Sequence, residues 1–164
     1  MTQGKPVSAS RTTTYHEPLP KDANNDGNLY GGSLTYLLDA VGYFPAMRHA
    51  RCRLVTASMS VAFRSPVQMG EILICHASVN AVWRTSLEVG VRVVAEHQYS
   101  GEKRHVATAY MNYVAVDEQG RPRPLPPLIL ENDEDRRRAE AADRRAEASR
   151  ALVRGKNQPE KNIG

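Results

Sequence analysis

The stretch Leu34–Phe44, "LTYLLDAVGYF", places one carboxylate, Asp39, in the middle of an otherwise apolar run. An ionised carboxylate in an apolar interior is heavily disfavoured unless something replaces its water shell. From Tyr30 to about His49, the apolar positions Leu34, Leu37, Leu38, Val41 and Phe44 recur at helical spacing. Tyr36, Ala40, Tyr43 and Met47 make the opposite side largely apolar too, and a helix apolar nearly all round is expected to be buried. Two readings of Asp39 follow. It satisfies local backbone groups, for instance at a helix break near Gly42, or it serves as a general base or nucleophile kept short of water.

The elements around this helix set the fold class. Upstream, "PLPKDANNDGN" (18–28) crowds Pro, Asn, Asp and Gly into a turn-rich loop. Before it, "SRTTTYHE" (10–17) has the β-branched content of a short strand, and residues 1–9 are expected to be flexible. Downstream the period changes to two, with Val55, Ala57, Met59, Val61 and Phe63 alternating against Thr56, Ser58 and Ser60. Three further strands are read in residues 71–83, 85–99 and 103–117. The proline-rich "RPRPLPP" (121–127) is a stiff connector. Residues 131–153 form an Ala/Glu/Arg helix whose stripe is mostly alanine, so weak docking is expected. The order is therefore α+β: one domain over 10–127, a terminal helical segment over 128–154 and a disordered tail at 155–164. Four successive strands with short connections predict an antiparallel meander, with the first strand on its edge and the long helix wrapped by a five-stranded sheet.

Composition narrows the function. At 164 residues and 41% hydrophobic content the chain suits one packed core. No apolar run approaches a membrane span and no secretory h-region is visible, which predicts a cytoplasmic protein without a membrane partner. Cys52 and Cys75 stand alone and the five histidines form no HxxxH or HExxH pattern, so no metal site is expected. The net charge of +4 raises nucleic acid as a partner, but residues 131–154 carry seven acids against seven arginines. With no one-sign stripe, a small anionic ligand fits the charge better.

Four segments carry a resemblance: "DANNDGNLYGGSLTYLLD" (22–39), "RLVTASMSVAFRSPVQMGE" (53–71), "WRTSLEVGVRV" (83–93) and "AYMNYVAVDEQGRPRPLPP" (109–127). In this order and spacing the sequence resembles the acyl-CoA thioesterases of the hot-dog superfamily, especially the bacterial short- and medium-chain type, from about Thr12 to Arg150. The resemblance implies a hot-dog fold and hydrolysis of acyl-CoA without metal or organic cofactor, coenzyme A being part of substrate and product. It implies Asn24 and Asp39 as the catalytic pair, with the Gly31–Gly32 amides beginning the central helix. It places coenzyme A contacts on Ala57, Ser58 and Met59, on Thr85, Ser86 and Leu87, and on Arg144 or Arg145. It implies a homodimer that assembles further, to a trimer of dimers or a tetramer. Trp83 stands where many members have Gly, and Ser33 where the residue is often bulky; both bear on acyl preference. The alternative is a non-catalytic acyl-CoA-binding or regulatory protein on the same fold.

The residues have their own logic. Gly-Gly at a helix start lets a carbonyl approach N–H groups that lack internal partners and sit at the positive end of the dipole. Asn24 either donates its amide to a substrate or performs ordinary turn chemistry. Thr85 and Ser86 suit pantetheine amides or an exposed strand end. Arg144 and Arg145 suit phosphates or a solvated face with pairs such as Glu140–Arg144. Asp39 follows Gly31 by eight residues, about 12 Å along one helix. One water cannot bridge that gap, so a complete site predicts a partner chain's Asp39 at this helix start.

Overall fold

Residues 3–156 are described in the computed structural model, and the element order follows the period changes of the sequence. Residues 1–2 and 157–164, the latter most of the expected tail, lie outside the described residues. Strand β1 (Lys5–Pro6) is followed by β2 (Thr12–His16), helix α1 (Gly31–Ala50) and strands β3 (Arg53–Phe63), β4 (Glu71–Val82), β5 (Ser86–His97) and β6 (Lys103–Val116). Strand β7 (Leu128–Ile129) and helix α2 (Asp133–Lys156) complete the chain. Helix α1 stops at Arg51, which takes a left-handed conformation and caps Met47 O at 2.9 Å. At the start of α2, Asn132 Oδ1 accepts the Asp135 N–H at 2.9 Å.

The five-stranded antiparallel sheet has the order β2-β4-β5-β6-β3. The expected meander holds for β4, β5 and β6, and β2 joins the β4 edge as expected, but β3 pairs with β6 at the far edge. The seven-residue link 64–70 makes this possible. Three strand spacings amount to about 14 Å, within reach of seven extended residues at ~3.3 Å each. The link is pinned on both sides. Leu29 N–H donates to Val67 O at 2.7 Å, and Arg104 donates to Pro66 O and to both oxygens of buried Glu71. The Arg104 fork holds the Glu71 carboxyl below the usual range.

Helix α1 lies across the inner face, with Leu34, Leu38 and Val41 packed on Leu73, Val79, Val89, Val91 and Met111. At Gly42 it packs tightly on β6: a Cβ there would stand 2.2 Å from Met111 Cε and 3.1 Å from the Tyr113 hydroxyl. One sheet covers one side of a helix, so the expectation of a fully buried α1 is corrected. Tyr36 is 81% exposed, Phe44 45% and Tyr43 40%, and Val55 and Phe63 on the neighbouring edge strand are 49% and 55% exposed.

Residues 5–8 and helix α2 are both tied to the body of the fold. Lys5–Pro6 pairs in parallel with Leu128–Ile129, Val7 is buried, and Ser8 donates to Glu131 through backbone and hydroxyl. Lys5 Nζ donates to His49 O at 2.6 Å. His49 is buried at the end of α1, and its Nε2–H donates to Pro126 O at 2.9 Å while Nδ1 has no partner among the described residues. Helix α2 docks not through its alanine stripe, of which Ala142 is fully buried, but through charge. Arg145 forms a two-pronged pair with buried Glu88, at 2.9 and 2.7 Å, and lies 3.6 Å over the Tyr110 ring. Asn80 Nδ2 donates to the same carboxylate at 3.0 Å, and Trp83 Nε1–H donates to Asp143 at 2.9 Å.

Two measurements test these anchors. Arg145→Gln leaves Glu88 buried with Asn80 alone and is expected to cost about 3 kcal/mol, while adding Glu88→Gln restores most of it. Denaturant unfolding of the single and double variants checks this; strictly additive losses would remove the pair from α2 docking. Burial pushes His49 down from its ordinary pKa, so folding favours the neutral ring. That contribution is present above about pH 6.5 and is lost as pH falls through the lowered folded value. His16 and His76 are lowered for the same first reason, so His49→Gln is expected to reduce, not abolish, the stability loss between pH 7.5 and 5.

Candidate active site

The loop before α1 is built by its own turn chemistry. Ala23 pairs with Leu29, Gly27 takes φ +76°, and Tyr30 N–H donates to Asp22 O at 2.8 Å. Asn24 sits inside this turn, half-buried. Its Oδ1 accepts the N–H groups of Asp26 and Asn28 at 3.0 and 3.1 Å. Both turn chemistry and a functional role are therefore open to it at once, because the bonded oxygen fixes the orientation of the NH₂ group. That NH₂ makes no hydrogen bond among the described residues.

The start of α1 has no side-chain cap; Tyr30 holds the N-cap position, and the first internal donor is Leu34 N–H to Tyr30 O at 3.1 Å. Gly31 and Gly32 are exposed and have no positive φ. A Cβ on Gly31 would meet only Phe63 Cζ at 3.8 Å, and one on Gly32 would meet Tyr30 Cδ1 at 3.4 Å. Nothing inside the protomer demands glycine at either position. Beside Gly31 opens a cleft of about 300 Å³, lined by Leu29, Leu34, Phe63, Pro66 and Val67, with Arg64 and Ser65 at its rim.

Asp39 is exposed, two turns further along the uncovered side of α1 among Tyr36, Ala40 and Tyr43. Burial first, and then the Asp39 carboxylate, push the Tyr113 phenol above its ordinary range. Tyr43 packs edge-on against the Tyr113 ring at 6.3 Å.

The residues expected at coenzyme A collect elsewhere. Ser86 shares a row with Val114 and Val55 across β5, β6 and β3; the next row is Leu87, Tyr113 and Thr56, and the one after it Glu88, Asn112 and Ser58. Ala57 is the extra residue of a β-bulge between these rows, exposed beside Ser58, whose Oγ accepts from Asn112 Nδ2 at 3.1 Å. Bulges re-aim side chains and recur beside sites. Met59 is half-buried, and the Leu87 side chain is fully buried in the core. The Thr85 turn is tied down by Ala115 N–H to Thr85 O at 2.8 Å and Leu125 N–H to Arg84 O at 3.0 Å. Arg145 is committed to Glu88, whereas Arg144 is exposed and makes no ion pair among the described residues. Trp83 holds α2 at this end of the sheet.

The two groups of residues sit at opposite ends of the protomer. Phe63, the last residue of β3, lies at the start of α1, whereas the first residues of β3 follow its end. The 20 residues of α1 span about 30 Å, so the Gly31 amides and the Thr85 turn of one protomer are separated by nearly that distance. Among the described residues no group of three or more His, Cys, Asp or Glu could hold a metal ion, and no helix is long and apolar enough to cross a membrane.

Comparison with known proteins bears on this geometry. The thioesterase superfamily model matches residues 26–102. The uncharacterized acyl-CoA thioester hydrolase YkhA of Bacillus subtilis is 36% identical over 134 residues, 81% of this chain and 74% of that protein. A hexameric acyl-CoA thioesterase solved in its apo form superposes with a TM-score of 0.88 at 36% identity, covering 92% of this chain and 97% of the other. An acyl-CoA hydrolase from Staphylococcus aureus, solved with butyryl coenzyme A and coenzyme A, gives 0.87 at 30% identity, covering 94% of each. That hydrolase has also been solved with an asparagine, an aspartate or a threonine replaced by alanine. Its asparagine and aspartate are fifteen residues apart, as Asn24 and Asp39 are, and its threonine follows the aspartate by seventeen, as Thr56 does here. In the sequence Thr56 reads as one polar position in an alternating strand. With a core sheet, a central helix and a terminal helix shared with these structures, the chain belongs to the hot-dog thioesterase superfamily, in its acyl-CoA thioester hydrolase family.

Proposed function

We propose that this chain hydrolyses acyl-CoA to a carboxylic acid and coenzyme A in a site shared by two copies. The observation that carries the reading is the uncapped start of α1, where two exposed glycines, not required by the fold, flank an apolar cleft. A thioester carbonyl placed there meets unpaired N–H groups at the positive helix end, and donors of this kind aimed at a developing oxyanion are worth roughly 3–4 kcal/mol each. The cleft takes the acyl side, and the outward NH₂ of Asn24 orients the carbonyl or the attacking water. Asp39 takes the proton of that water as it attacks, the C–S bond breaks, and the departing sulfur receives that proton. Or the Asp39 carboxylate attacks the carbonyl carbon and the C–S bond breaks to release thiolate; water then hydrolyses the mixed anhydride, one of its protons going to the thiolate and the carboxylate being restored.

Asp39 of the same protomer is about 12 Å from Gly31 along the axis, and the proposed coenzyme A contacts lie at the far end. A two-fold partner laid antiparallel on the exposed side of α1 brings its own Asp39 and its own Ala57, Ser58, Thr85 and Ser86 toward this helix start. The exposed Tyr36, Tyr43, Phe44 and Phe63 supply the apolar contact such a partner needs. The spacing shared with the substituted positions of the Staphylococcus aureus hydrolase supports Asn24 and Asp39, and adds Thr56 on the edge strand. Of the two nucleotide candidates, exposed Arg144 makes no ion pair among the described residues, and Arg145 is tied to Glu88 through only part of its donors. A hexameric neighbour favours a trimer of dimers as the complete particle.

Two substitutions test the shared site. Asp39→Asn is expected to lower turnover at least about a hundredfold, the scale of a general base, with coenzyme A binding little changed. Asn24→Ala and Asp39→Asn chains, each nearly inactive alone, are then unfolded and refolded together. In a mixed dimer one site inherits both lesions and the other neither, so equal mixing should recover roughly a quarter of wild-type activity. No recovery, with mixed dimers confirmed by mass, would place both residues in one chain's site.

A further inference from the structure

The outer face of the sheet, turned away from α1, holds a second and larger concavity. It measures about 590 Å³ and lies between β2, β4, β5 and β6 on one side and α2 on the other. Strand register sets Thr13, His76, Arg92 and Thr108 side by side across its floor, with Ser78, Gly90 and Tyr110 in the next row. Arg137, Arg138 and Arg145 enter from α2, and Arg11 closes one end. Five arginines thus line one groove whose lining contains a single carboxylate, Glu134.

These cations are held in place. Arg11 pairs with buried Asp135 at 3.1 Å, and Arg138 donates to Glu134 at 2.8 Å and to Ser78 Oγ at 3.1 Å. Arg145 is fixed by Glu88 and the Tyr110 ring. Each tie uses only part of a guanidinium's five donors. Arg92 is exposed and makes no ion pair among the described residues.

Preorganised forks bind an anion without the cost of ordering long side chains, and they match phosphate oxygens in pairs. The volume falls in the range of small-molecule sites, and the Arg, Thr, Ser and Asn lining is unsuited to an acyl chain. We propose that this groove binds the phosphate groups of a small molecule carrying a diphosphate or more. Two sources share that chemistry: the nucleotide end of coenzyme A, which rests on the hydrolase reading, and a free phosphorylated effector, which does not.

The test titrates pyrophosphate, ADP, coenzyme A and pantetheine into the full chain by calorimetry at low ionic strength. Pyrophosphate and ADP should bind and pantetheine should not. Arg92→Gln and Arg137→Gln, both at exposed positions, should each weaken pyrophosphate about tenfold or more, the scale of a lost charged hydrogen bond. Arg121→Gln removes the same charge far from the groove and should change nothing. Pyrophosphate that competes with acyl-CoA in turnover assigns the groove to the substrate's nucleotide end; binding that leaves KM unchanged assigns it to a separate effector. Phosphate binding in a chain that hydrolyses no acyl-CoA would leave the groove standing and remove the hydrolase reading. No binding of pyrophosphate, ADP or coenzyme A, or binding indifferent to both groove substitutions, overturns the proposal. So does an Arg92→Gln chain that binds as wild type but changes particle mass, which would make the groove a subunit contact.

Discussion

The contact between Gly42 and the Met111–Tyr113 pair fixes the rotation of α1 on the sheet. A Cβ at Gly42 would stand 2.2 Å from Met111 Cε and 3.1 Å from the Tyr113 hydroxyl, so any side chain there would have to displace the end of Met111, and glycine lets α1 sit on these two residues of β6. Once one residue of a helix is pressed inward, the phase of every other follows at 3.6 residues per turn. Leu34, Leu38 and Val41 are drawn into the core, and Tyr36, Asp39, Ala40 and Tyr43 are turned out. The carboxylate in the apolar run is therefore not a buried charge in this protomer. It rides on an apolar surface that a single sheet cannot cover.

The sheet separates two chemistries. Its inner face is continuous Val, Leu, Ala and Met against α1, and its outer face is Thr, His, Ser, Asn, Arg and Glu beneath α2. A long strand that is apolar on one side and charged on the other carries both faces in one stretch of chain. Strand β5 does this most clearly, with Leu87, Val89, Val91 and Val93 buried inward while Glu88, Gly90 and Arg92 face the helix and the groove. Gly90 leaves room for Asn80, whose Nδ2 would be 2.5 Å from a Cβ there, and Asn80 in turn holds Glu88. A missing side chain thus supports a buried carboxylate, and the carboxylate supports the terminal helix.

Much of this was legible because local rules and tertiary packing agree. The two-residue period located β3 through β6 within a few residues, and the Asn/Asp/Gly loop before a helical Gly-Gly marked the start of α1. What failed was non-local. The position of β3 beside β6 depends on a link crossing under the Asn24 loop, and no periodicity encodes which edge a strand will take. Strands β1 and β7 are two residues each, too short for any pattern, and each exists because the other is present. Arg145 was legible as a cation but not as the partner of Glu88, 57 residues away. Thr56 and Asn24 illustrate a different limit: a polar residue at a bulge or in a turn looks the same whether it serves the fold, a ligand or both.

The way α2 is attached gives it an independent life. Its contact with the body consists of a few charged and polar ties around one fully buried alanine, not a continuous apolar seam. Most of the apolar area that resists unfolding lies between α1 and the sheet, so α2 can lift away at a fraction of the global free energy while the core stays intact. Its amides should then exchange hydrogen through a sub-global opening, faster than those of β4 and β5. Each such opening would uncover the polar face of the sheet and leave Glu88 briefly facing water without its arginine.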